Sequence, residues 1–391
     1  MSTTFAEFGL LPPLLEAISL MGYEEPTPVQ AQAIPFLLST QQDLIALAQT
    51  GTGKTAAFAL PCLHKLDIET VETQVLILSP TRELSLQTAK EVKKFAKKMS
   101  GFRSVALYGG GHMGTQSRAL AKGCHVVIGT LGSTLDFIRQ GRLDVSTVKM
   151  VVLDEADEML KMGFKDDLDA ILEGTPEDKQ TLLFSATMPK GIEKIAKKNM
   201  SEAHQIAVSG RNQANRSVVH QYSLIHPRDR FDALRRWVDA LPGMEGIIFC
   251  RTRAETMDIF ENLRKEGYAV DLINGDLSQE NRDRVMRRFH LKEVKILVAT
   301  DVAARGLDVD NLTHVINYTL PDDLEVYVHR SGRTGRAGNQ GVCVSLISPT
   351  EEYRTRQIER MASTKLNRVP IPTAQDVISA QLANAIQSLN D

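Results

Sequence analysis

The sequence has few cysteines, no long hydrophobic run and almost no net charge. Its four cysteines lie far apart and form neither a CxxC pair nor a Cys/His cluster. This excludes a disulfide scaffold and a zinc site, and it fits the reducing cytoplasm that we expect for this chain. No run of about eighteen apolar residues occurs, so the sequence predicts no membrane span. The first residues lack the basic and apolar pattern of a signal peptide.

The near balance of charge limits the class of partner. Lysine and arginine number 46, aspartate and glutamate number 48, and the formal net charge is −2. A protein that coats a polyanion over its whole surface would be strongly basic, so any nucleic-acid site must be a local groove. The 391 residues, 42% of them hydrophobic, are enough for two domains of roughly 150–200 residues each.

Short, β-rich apolar segments alternate with helical patterns such as 83–99, and this alternation occurs twice along the chain. The first series of segments lies at 44–48, 75–80, 126–130, 150–157 and 181–187. The second lies at 246–252, 269–275, 295–300, 314–320 and 343–348. Because these segments do not alternate apolar with polar residues, they are typical of parallel strands buried on both faces. We predict two doubly wound α/β domains, 1–208 and 218–391, joined by a linker at 209–217.

The sharpest local pattern is AQTGTGKT at 48–55, between an apolar segment and a helical one. Glycines allow backbone N–H groups to surround phosphate oxygens, and the following helix adds its positive N-terminal end. In such a loop the lysine contacts the β- and γ-phosphates and the last threonine ligates Mg²⁺. Ala48 stands where glycine is commonest, and a glycine-rich turn with a surface lysine is the alternative. The candidate nucleotide residues are Ala48, Gln49, Thr50, Gly51, Thr52, Gly53, Lys54 and Thr55.

A nucleotide hydrolase also needs a carboxylate for the metal and a group that activates water. The segment MVVLDEAD at 150–157 supplies both at the end of a predicted strand. We expect Asp154 to hold Mg²⁺ and Glu155 to orient and deprotonate the attacking water. Acidic residues that follow a strand are often only helix N-caps, as Asp157 could be. The phosphate loop earlier in the same predicted sheet favours the catalytic interpretation.

With the letters DEAD at 154–157, the chain resembles the DEAD-box RNA helicases over nearly its whole length, and bacterial cold-shock and ribosome-assembly members in particular. The resemblance implies two tandem RecA-like domains that use ATP and Mg²⁺ and bind RNA. The segment 22–30 resembles the adenine-reading Q motif, which we place within 3–31. By that likeness Gln30 hydrogen-bonds the adenine edge, Tyr23 stacks on the ring, and Phe5 supports it.

Further motifs resemble the RNA-binding and coupling elements of the family. In the first half they imply RNA contacts at Thr81, Arg82, the Gly109–Gly110 turn and Thr130, with coupling of ATP state through Ser185 and Thr187. In the second half they imply RNA contacts at Arg253, Thr300 and Arg305, and Gln279 with Arg282 matches a further motif of the family. They also imply a ribose contact at Asp308 and coupling through His329. Arg333 and Arg336 are the implied arginine fingers. The bland alternative for this arginine cluster is a solvated turn.

The chain departs from the family pattern at one motif. Leu131 and Ser133 stand where the family has proline and arginine. Proline at that position would begin a helix, and arginine would add a charge near the RNA. We therefore expect reduced RNA affinity without loss of ATP binding.

The resemblance implies an RNA-stimulated ATPase that opens short RNA duplexes locally and non-processively, acting as a monomer. RNA is the expected partner, and ribosome-assembly or RNA-decay proteins are candidate protein partners. Two alternatives stay open: an ATP-gated RNA clamp with little unwinding, and a DNA helicase with the same core. The lysines at 90, 94 and 97 share one predicted helix face. We interpret that face as solvated, with RNA binding as the alternative.

Overall fold

The computed structural model describes residues 4–49, 51–208, 217–304, 309, 312–335 and 339–390. The chain divides into two compact units, residues 1–211 and 212–391. Each unit has a sheet of seven strands, and every pairing between neighbouring strands is parallel. The predicted fold class of tandem doubly wound α/β domains is confirmed.

The first unit alternates strands with helices. Its strands are β1 (Leu44–Leu47), β2 (Val75–Ser79), β3 (Ser104–Leu107), β4 (Val126–Thr130), β5 (Met150–Asp154), β6 (Gln180–Ser185) and β7 (His204–Ala207). Its helices are α1 (Pro12–Leu20), α2 (Pro28–Ser39), α3 (Lys54–His64), α4 (Arg82–Phe95), α5 (Met113–Ala121), α6 (Leu131–Arg139), α7 (Ala156–Lys161), α8 (Lys165–Glu173) and α9 (Lys190–Asn199). The strand order across the sheet is β3-β4-β2-β5-β6-β1-β7.

Successive side chains of a strand point to opposite faces of the sheet, so an apolar strand of this unit packs into a core on each face. In β2, Val75 and Ile77 pack into one hydrophobic core, whereas Leu76 and Leu78 pack into a second core on the other face. Helices cover both faces, so a central strand has no solvent-exposed side. This explains why its sequence shows no alternation.

The second unit has the same design. Its strands are β8 (Val218–Leu224), β9 (Gly246–Cys250), β10 (Val270–Ile273), β11 (Ile296–Thr300), β12 (His314–Asn317), β13 (Gly341–Ile347) and β14 (Leu366–Arg368). Its helices are α10 (Arg230–Asp239), α11 (Arg253–Lys265), α12 (Gln279–His290), α13 (Asp301–Ala304), α14 (Leu324–Ser331), α15 (Tyr353–Ala362) and α16 (Ala374–Asn390). The order β10-β11-β9-β12-β13-β8-β14 repeats the first sheet strand for strand, so the two units share one topology.

Each predicted apolar segment overlaps a strand, but the structure adds four strands that the sequence did not predict: β3, β7, β8 and β14. The strands β3, β7 and β14 are short and lie at sheet edges. Because an edge strand is partly exposed to solvent, it does not need a continuous apolar sequence. The predicted linker lies outside the described residues except for Ser217, so the predicted domain boundaries stay a prediction. Among the described residues, no helix is long and apolar enough to cross a membrane.

Candidate active site and nucleic-acid interface

The strand order of the first unit divides its carboxyl edge into two halves. The phosphate loop follows β1, the DEAD segment follows β5 and the SAT segment follows β6, and these three strands are neighbours in the sheet. The predicted RNA contacts follow β2, β3 and β4, which form the other half. Ligands of open parallel sheets bind at this edge. The candidate nucleotide residues and the candidate RNA residues therefore follow two different halves of one sheet.

The phosphate loop has the backbone geometry that its glycines predict. Gly51 and Gly53 have positive φ angles of 83° and 88°, a region that glycine occupies without steric cost. The helix α3 begins at Lys54, whose side chain is buried. Its Nζ has no hydrogen-bond partner among the described residues. Thr55 follows as the second residue of the helix, and Thr50 lies outside the described residues.

Gln30 is buried against the phosphate loop. Its Nε2 donates a hydrogen bond to the carbonyl oxygen of Gly53 at 3.1 Å, and its Oε1 accepts one from the backbone N–H of Thr27 at 2.9 Å. A Cβ atom at Gly53 would lie 2.3 Å from Nε2, so any other residue there would push the Gln30 amide away from the loop. The amide keeps one further N–H donor and one oxygen lone pair. The sequence predicted an adenine contact for this residue and missed its link to the phosphate loop.

Tyr23 lies in an aromatic cluster that packs against a hydrophobic core of the first unit. Its ring packs edge-on against Phe5 and Phe95, with centroids 5.9 and 6.0 Å apart. Burial, and then the charge of Glu91, raise the pKa of the Tyr23 hydroxyl above its usual value. The contact with Phe5 agrees with the supporting role expected for that residue. Stacking of Tyr23 on adenine stays a prediction.

The carboxylates of the DEAD segment stand where β5 ends. Asp154 is buried, and its Oδ1 has no hydrogen-bond partner in the part of the chain that the structure describes. Burial raises the pKa of Asp154 to about 7; the positive charge of Lys54 opposes this shift and the charge of Glu155 adds to it. Glu155 has φ 54°, in the left-handed region that non-glycine residues rarely occupy. Such strained residues cluster at functional sites.

These groups fit a bound metal and a phosphate chain. A buried carboxylate oxygen and a buried ammonium, both without hydrogen bonds, are costly unless a ligand satisfies them. An oxygen donor suits Mg²⁺, and the ammonium suits phosphate oxygens. Thr55 and Asp154, the residues predicted for the metal, lie at the start of α3 and at the end of β5.

A hydrogen-bond network joins the DEAD segment to the SAT segment. Asp157 Oδ2 accepts hydrogen bonds from the backbone N–H of Thr187 at 3.1 Å and from its Oγ1 at 2.8 Å. Ser185 Oγ donates to the carbonyl oxygen of Thr187 at 2.7 Å and accepts from the backbone N–H of Asp157 at 3.3 Å. Asp157 is an early residue of α7 and not its N-cap, which corrects the alternative interpretation of this residue.

Three of the four predicted RNA residues of the first unit lie where helices begin, and the fourth lies in a turn. Thr81 is the N-cap of α4, and its Oγ1 accepts a hydrogen bond from the backbone N–H of Leu84 at 3.3 Å. The Arg82 guanidinium lies 4.9 Å from the centre of the Tyr108 ring. Gly110 has φ 73° in the turn after β3, and Thr130 is the N-cap of α6.

The departure at Leu131 and Ser133 has a structural explanation. The helix α6 begins at Leu131 although no proline is present, and the Leu131 side chain is fully buried in the core. Ser133 faces the glycine turn, with its Oγ 3.8 Å from the position of a Cβ atom at Gly109. Hydrophobic burial thus replaces proline as the cause of the helix start. The expected loss of RNA affinity stays a prediction.

In the second unit, Arg253 and Thr300 lie near the carboxyl ends of β9 and β11. Arg253 is the first residue of α11, and its Nη1 donates to Asp276 Oδ1 at 2.6 Å. Thr300 is the last residue of β11, and the Arg282 guanidinium donates to the carbonyl oxygen of Ala303. Other candidates are distributed as follows: Gln279 begins α12, His329 lies in α14, Arg333 follows α14, and Arg305, Asp308 and Arg336 lie outside the described residues.

Arg330 is a residue that sequence reasoning missed. It is 2% exposed, and it forms a bidentate pair with Asp301, Nε to Oδ1 at 2.5 Å and Nη2 to Oδ2 at 2.7 Å. Its Nη1 donates to Asn317 Oδ1 at 2.9 Å and to the carbonyl oxygen of Thr319 at 2.7 Å. It therefore fixes the last motif to the ends of β11 and β12. The motif HRSGRTGR at 329–336 indicates that arginines of this segment are functional. The pattern does not show which of them is buried.

Two parallel sheets of identical order, with a phosphate loop and an acidic strand end, define a two-unit nucleotide hydrolase. A family model for the DEAD/DEAH box helicase matches residues 27–195, and one for the helicase conserved C-terminal domain matches 229–338. The DEAD-box ATP-dependent RNA helicase CshA of Geobacillus kaustophilus is 44% identical over 387 residues, covering 99% of this chain and 82% of the relative. The Bacillus subtilis CshA is 42% identical and covers 100% and 78%.

Solved structures agree with these matches. Saccharomyces cerevisiae Dbp5 bound to RNA and ADP BeF3 has a TM-score of 0.86 at 30% identity, with 98% of each chain covered. Mss116p bound to ssRNA and AMP-PNP has a TM-score of 0.83 at 30% identity, covering 98% of this chain and 82% of that one. The chain belongs to the DEAD-box ATP-dependent RNA helicases. Membership in this family favours a helicase over the ATP-gated clamp that the sequence left open.

Proposed function

We propose that this protein hydrolyses ATP in response to RNA and uses the cycle to grip and locally open short RNA duplexes. The observation that carries the proposal is the pair of buried, hydrogen-bond-free groups Lys54 Nζ and Asp154 Oδ1 at the edge where the phosphate loop and the DEAD segment meet. Charged groups in such an environment favour a ligand that supplies the missing partners. A magnesium–triphosphate complex supplies both.

Each residue has a separate role in the proposed hydrolysis. Lys54 binds the β- and γ-phosphates, and Thr55 and Asp154 hold Mg²⁺, which neutralises developing charge on the phosphate oxygens when it is bound. Glu155 orients the attacking water and accepts its proton. Gln30 reads the adenine while its amide remains bonded to the loop. Arg333 and Arg336 stabilise the transferring phosphoryl group, and Asp308 contacts the ribose.

RNA binds, in this proposal, through its sugar-phosphate backbone. Thr81, Arg82, Gly110 and Thr130 contact it on the first unit. The contacts on the second unit are Arg253, Thr300 and Arg305. Contacts to the backbone position a strand without reading its sequence, and the 2′-hydroxyl distinguishes RNA from DNA. We expect preference for RNA over DNA and little sequence specificity.

The hydrogen bonds among Asp157, Ser185 and Thr187 support a coupling role for the SAT segment. They connect the acidic strand end to β6 through a buried carboxylate. A change in the DEAD segment on nucleotide binding would therefore move the SAT segment with it. We propose that this movement, together with His329, transmits the ATP state to the RNA contacts.

ATP turnover measured with and without RNA tests the proposal. We expect RNA to raise turnover in the wild-type protein, and we expect Lys54→Ala and Glu155→Gln to abolish it for different reasons. Lys54→Ala weakens ATP binding, whereas Glu155→Gln retains binding and stops hydrolysis. A matched DNA strand should stimulate little. Equal stimulation by DNA, or turnover that ignores RNA, would reject the assignment.

The proposal also covers the oligomeric state, the compartment and the protein partners. We propose a monomer that works in the cytoplasm, where the four cysteines, all free and buried, remain reduced. Ribosome-assembly or RNA-decay proteins are the protein partners that we would test first.

A further inference from the structure

A basic groove lies on the first unit, outside all the motifs described above. It has a volume of about 1200 Å³ and lies between the C-terminal ends of α4 and α5, beside the start of the edge strand β3. Five exposed cations line it, and no acidic residue is among its lining residues. The cations are Lys93, Lys97, Arg103, Arg118 and Lys122.

The charge of this region contrasts with the rest of the chain. Residues 92–135 contain seven lysines and arginines and not one aspartate or glutamate, although the whole chain has a net charge of −2. In the part of the chain that the structure describes, none of the five groove cations forms an ion pair with a carboxylate. The positive charge is therefore available to an anionic ligand.

We propose that this groove binds the phosphate backbone of single-stranded RNA that extends beyond the central RNA site. This inference rests on the proposed function, because it assumes that RNA occupies the carboxyl edge of the sheet. The half-buried ring of Phe102 lies among the cations. A basic groove with an aromatic side chain is the combination that binds single strands without sequence preference.

The connection to the central site is short. The strand β3 begins in the groove and ends one residue short of the glycine turn at Gly109–Gly110, and α5 leads back from that turn to the groove. Four strand residues span about 13 Å at roughly 3.3 Å each. That distance equals about four nucleotides at a stacked spacing of roughly 3.4 Å. Because β3 is an edge strand, no further strand of the sheet lies across this route.

A competing explanation is that the lysines only stabilise helix ends. Cations in the last turn of a helix interact favourably with the helix dipole, and Lys93 lies in the last turn of α4. This explanation predicts a small change in stability and no dependence on RNA length. The two explanations therefore differ in a measurable quantity.

The test compares two double variants in the full chain. Lys93→Gln/Lys97→Gln removes two groove cations. Lys90→Gln/Lys94→Gln removes the same charge at exposed positions of α4 that do not line the groove. Fluorescence anisotropy measures the affinity for RNAs of about 6 and about 20 nucleotides, one near the lower end of typical single-strand site sizes and one above their upper end. Each titration is repeated at several salt concentrations.

We expect the groove variant to bind the longer RNA roughly three- to tenfold more weakly, with a salt slope smaller by about 1.4, since each lost phosphate contact on a single strand contributes about 0.7. The shorter RNA should bind all three proteins alike, and the control variant should match wild type. Unchanged affinity of the groove variant for the longer RNA, or an equal loss in the control, would overturn the proposal.

Failure of this inference is distinguishable from failure of the proposed function. ATP turnover stimulated by the short RNA depends only on the central site, so it should be equal in wild type and both variants. If short RNA stimulates turnover and length has no effect on affinity, only the groove assignment fails. If no RNA stimulates turnover in wild type, the proposed function fails, and the groove loses the assumption on which it rests.

Discussion

The buried arginine of the second unit allows a quantitative test of what holds the last motif in place. Replacing Arg330 with methionine keeps a side chain of similar length and removes the guanidinium. The change leaves the carboxylate of Asp301 and the oxygens of Asn317 and Thr319 without their donors. It also removes the contact of the guanidinium with the Phe249 ring, 4.9 Å away.

The expected loss of unfolding free energy is about 3 kcal/mol. Removing one partner of a buried ion pair costs about 3–5 kcal/mol, because the other charge stays buried and uncompensated. We place the value at the lower end because the Asp301 side chain is 25% exposed and water can solvate it in part. Asp301→Asn should recover part of the loss in the double variant, with a coupling of about 1–3 kcal/mol.

Urea unfolding followed by tryptophan fluorescence is the appropriate assay. The chain has a single tryptophan, Trp237, and it is buried in a core of the second unit. Its signal therefore reports on the unit that contains the change. We expect the midpoint to fall while the slope with denaturant stays constant. A loss below about 1 kcal/mol, or additive single variants, would refute the reasoning.

Three further predictions concern the nucleotide site, its coupling and the response to pH. Gly53→Ala should strongly weaken binding of a fluorescent ATP analogue, because Gly53 has φ 88° and a Cβ atom would displace the Gln30 amide, 2.3 Å away. Gly132→Ala, where no atom lies within 4 Å, should bind normally. Thr187→Val removes a 2.8 Å hydrogen bond to buried Asp157 and should lower the unfolding free energy by about 1.5–3 kcal/mol. It should also reduce the rate of strand displacement more than it reduces the affinity for ATP. An unchanged rate of strand displacement would contradict this. Burial lowers the pKa of His220 from 6.5 to about 4, so the unfolded chain takes up a proton first and stability should fall by up to about 3 kcal/mol as pH drops through that window. In urea titrations His220→Gln should remove that part of the fall, and an unaltered pH profile would count against it.

The sequence predicted the buried parts of the fold better than its edges. A central strand such as β2 is apolar on both faces, so its sequence alone identifies it. The edge strand β7 has three exposed residues among four, and β14 has three residues in total. Such segments become strands because a neighbouring strand offers hydrogen bonds, and that neighbour cannot be inferred from their own residues.

The site shows a similar division. Motif spacing predicted Lys54 and Asp154 because the chemistry of phosphate and metal binding requires those residue types. The link between Gln30 and Gly53 joins residues 23 positions apart, and the pairing of Arg330 with Asp301 joins residues 29 apart. These contacts depend on how strands and helices pack. Local patterns do not encode which of several arginines is buried.

The central claim is that hydrolysis depends on RNA and on arginines of the second unit. RNA-stimulated ATP turnover of Arg333→Ala in the full chain tests it most directly, with ATP and RNA binding measured in the same samples. An arginine finger contributes roughly 10³–10⁵ in rate, so we predict a fall of at least about a thousandfold with both ligands still bound. Turnover of Arg333→Ala at the wild-type rate would contradict the account.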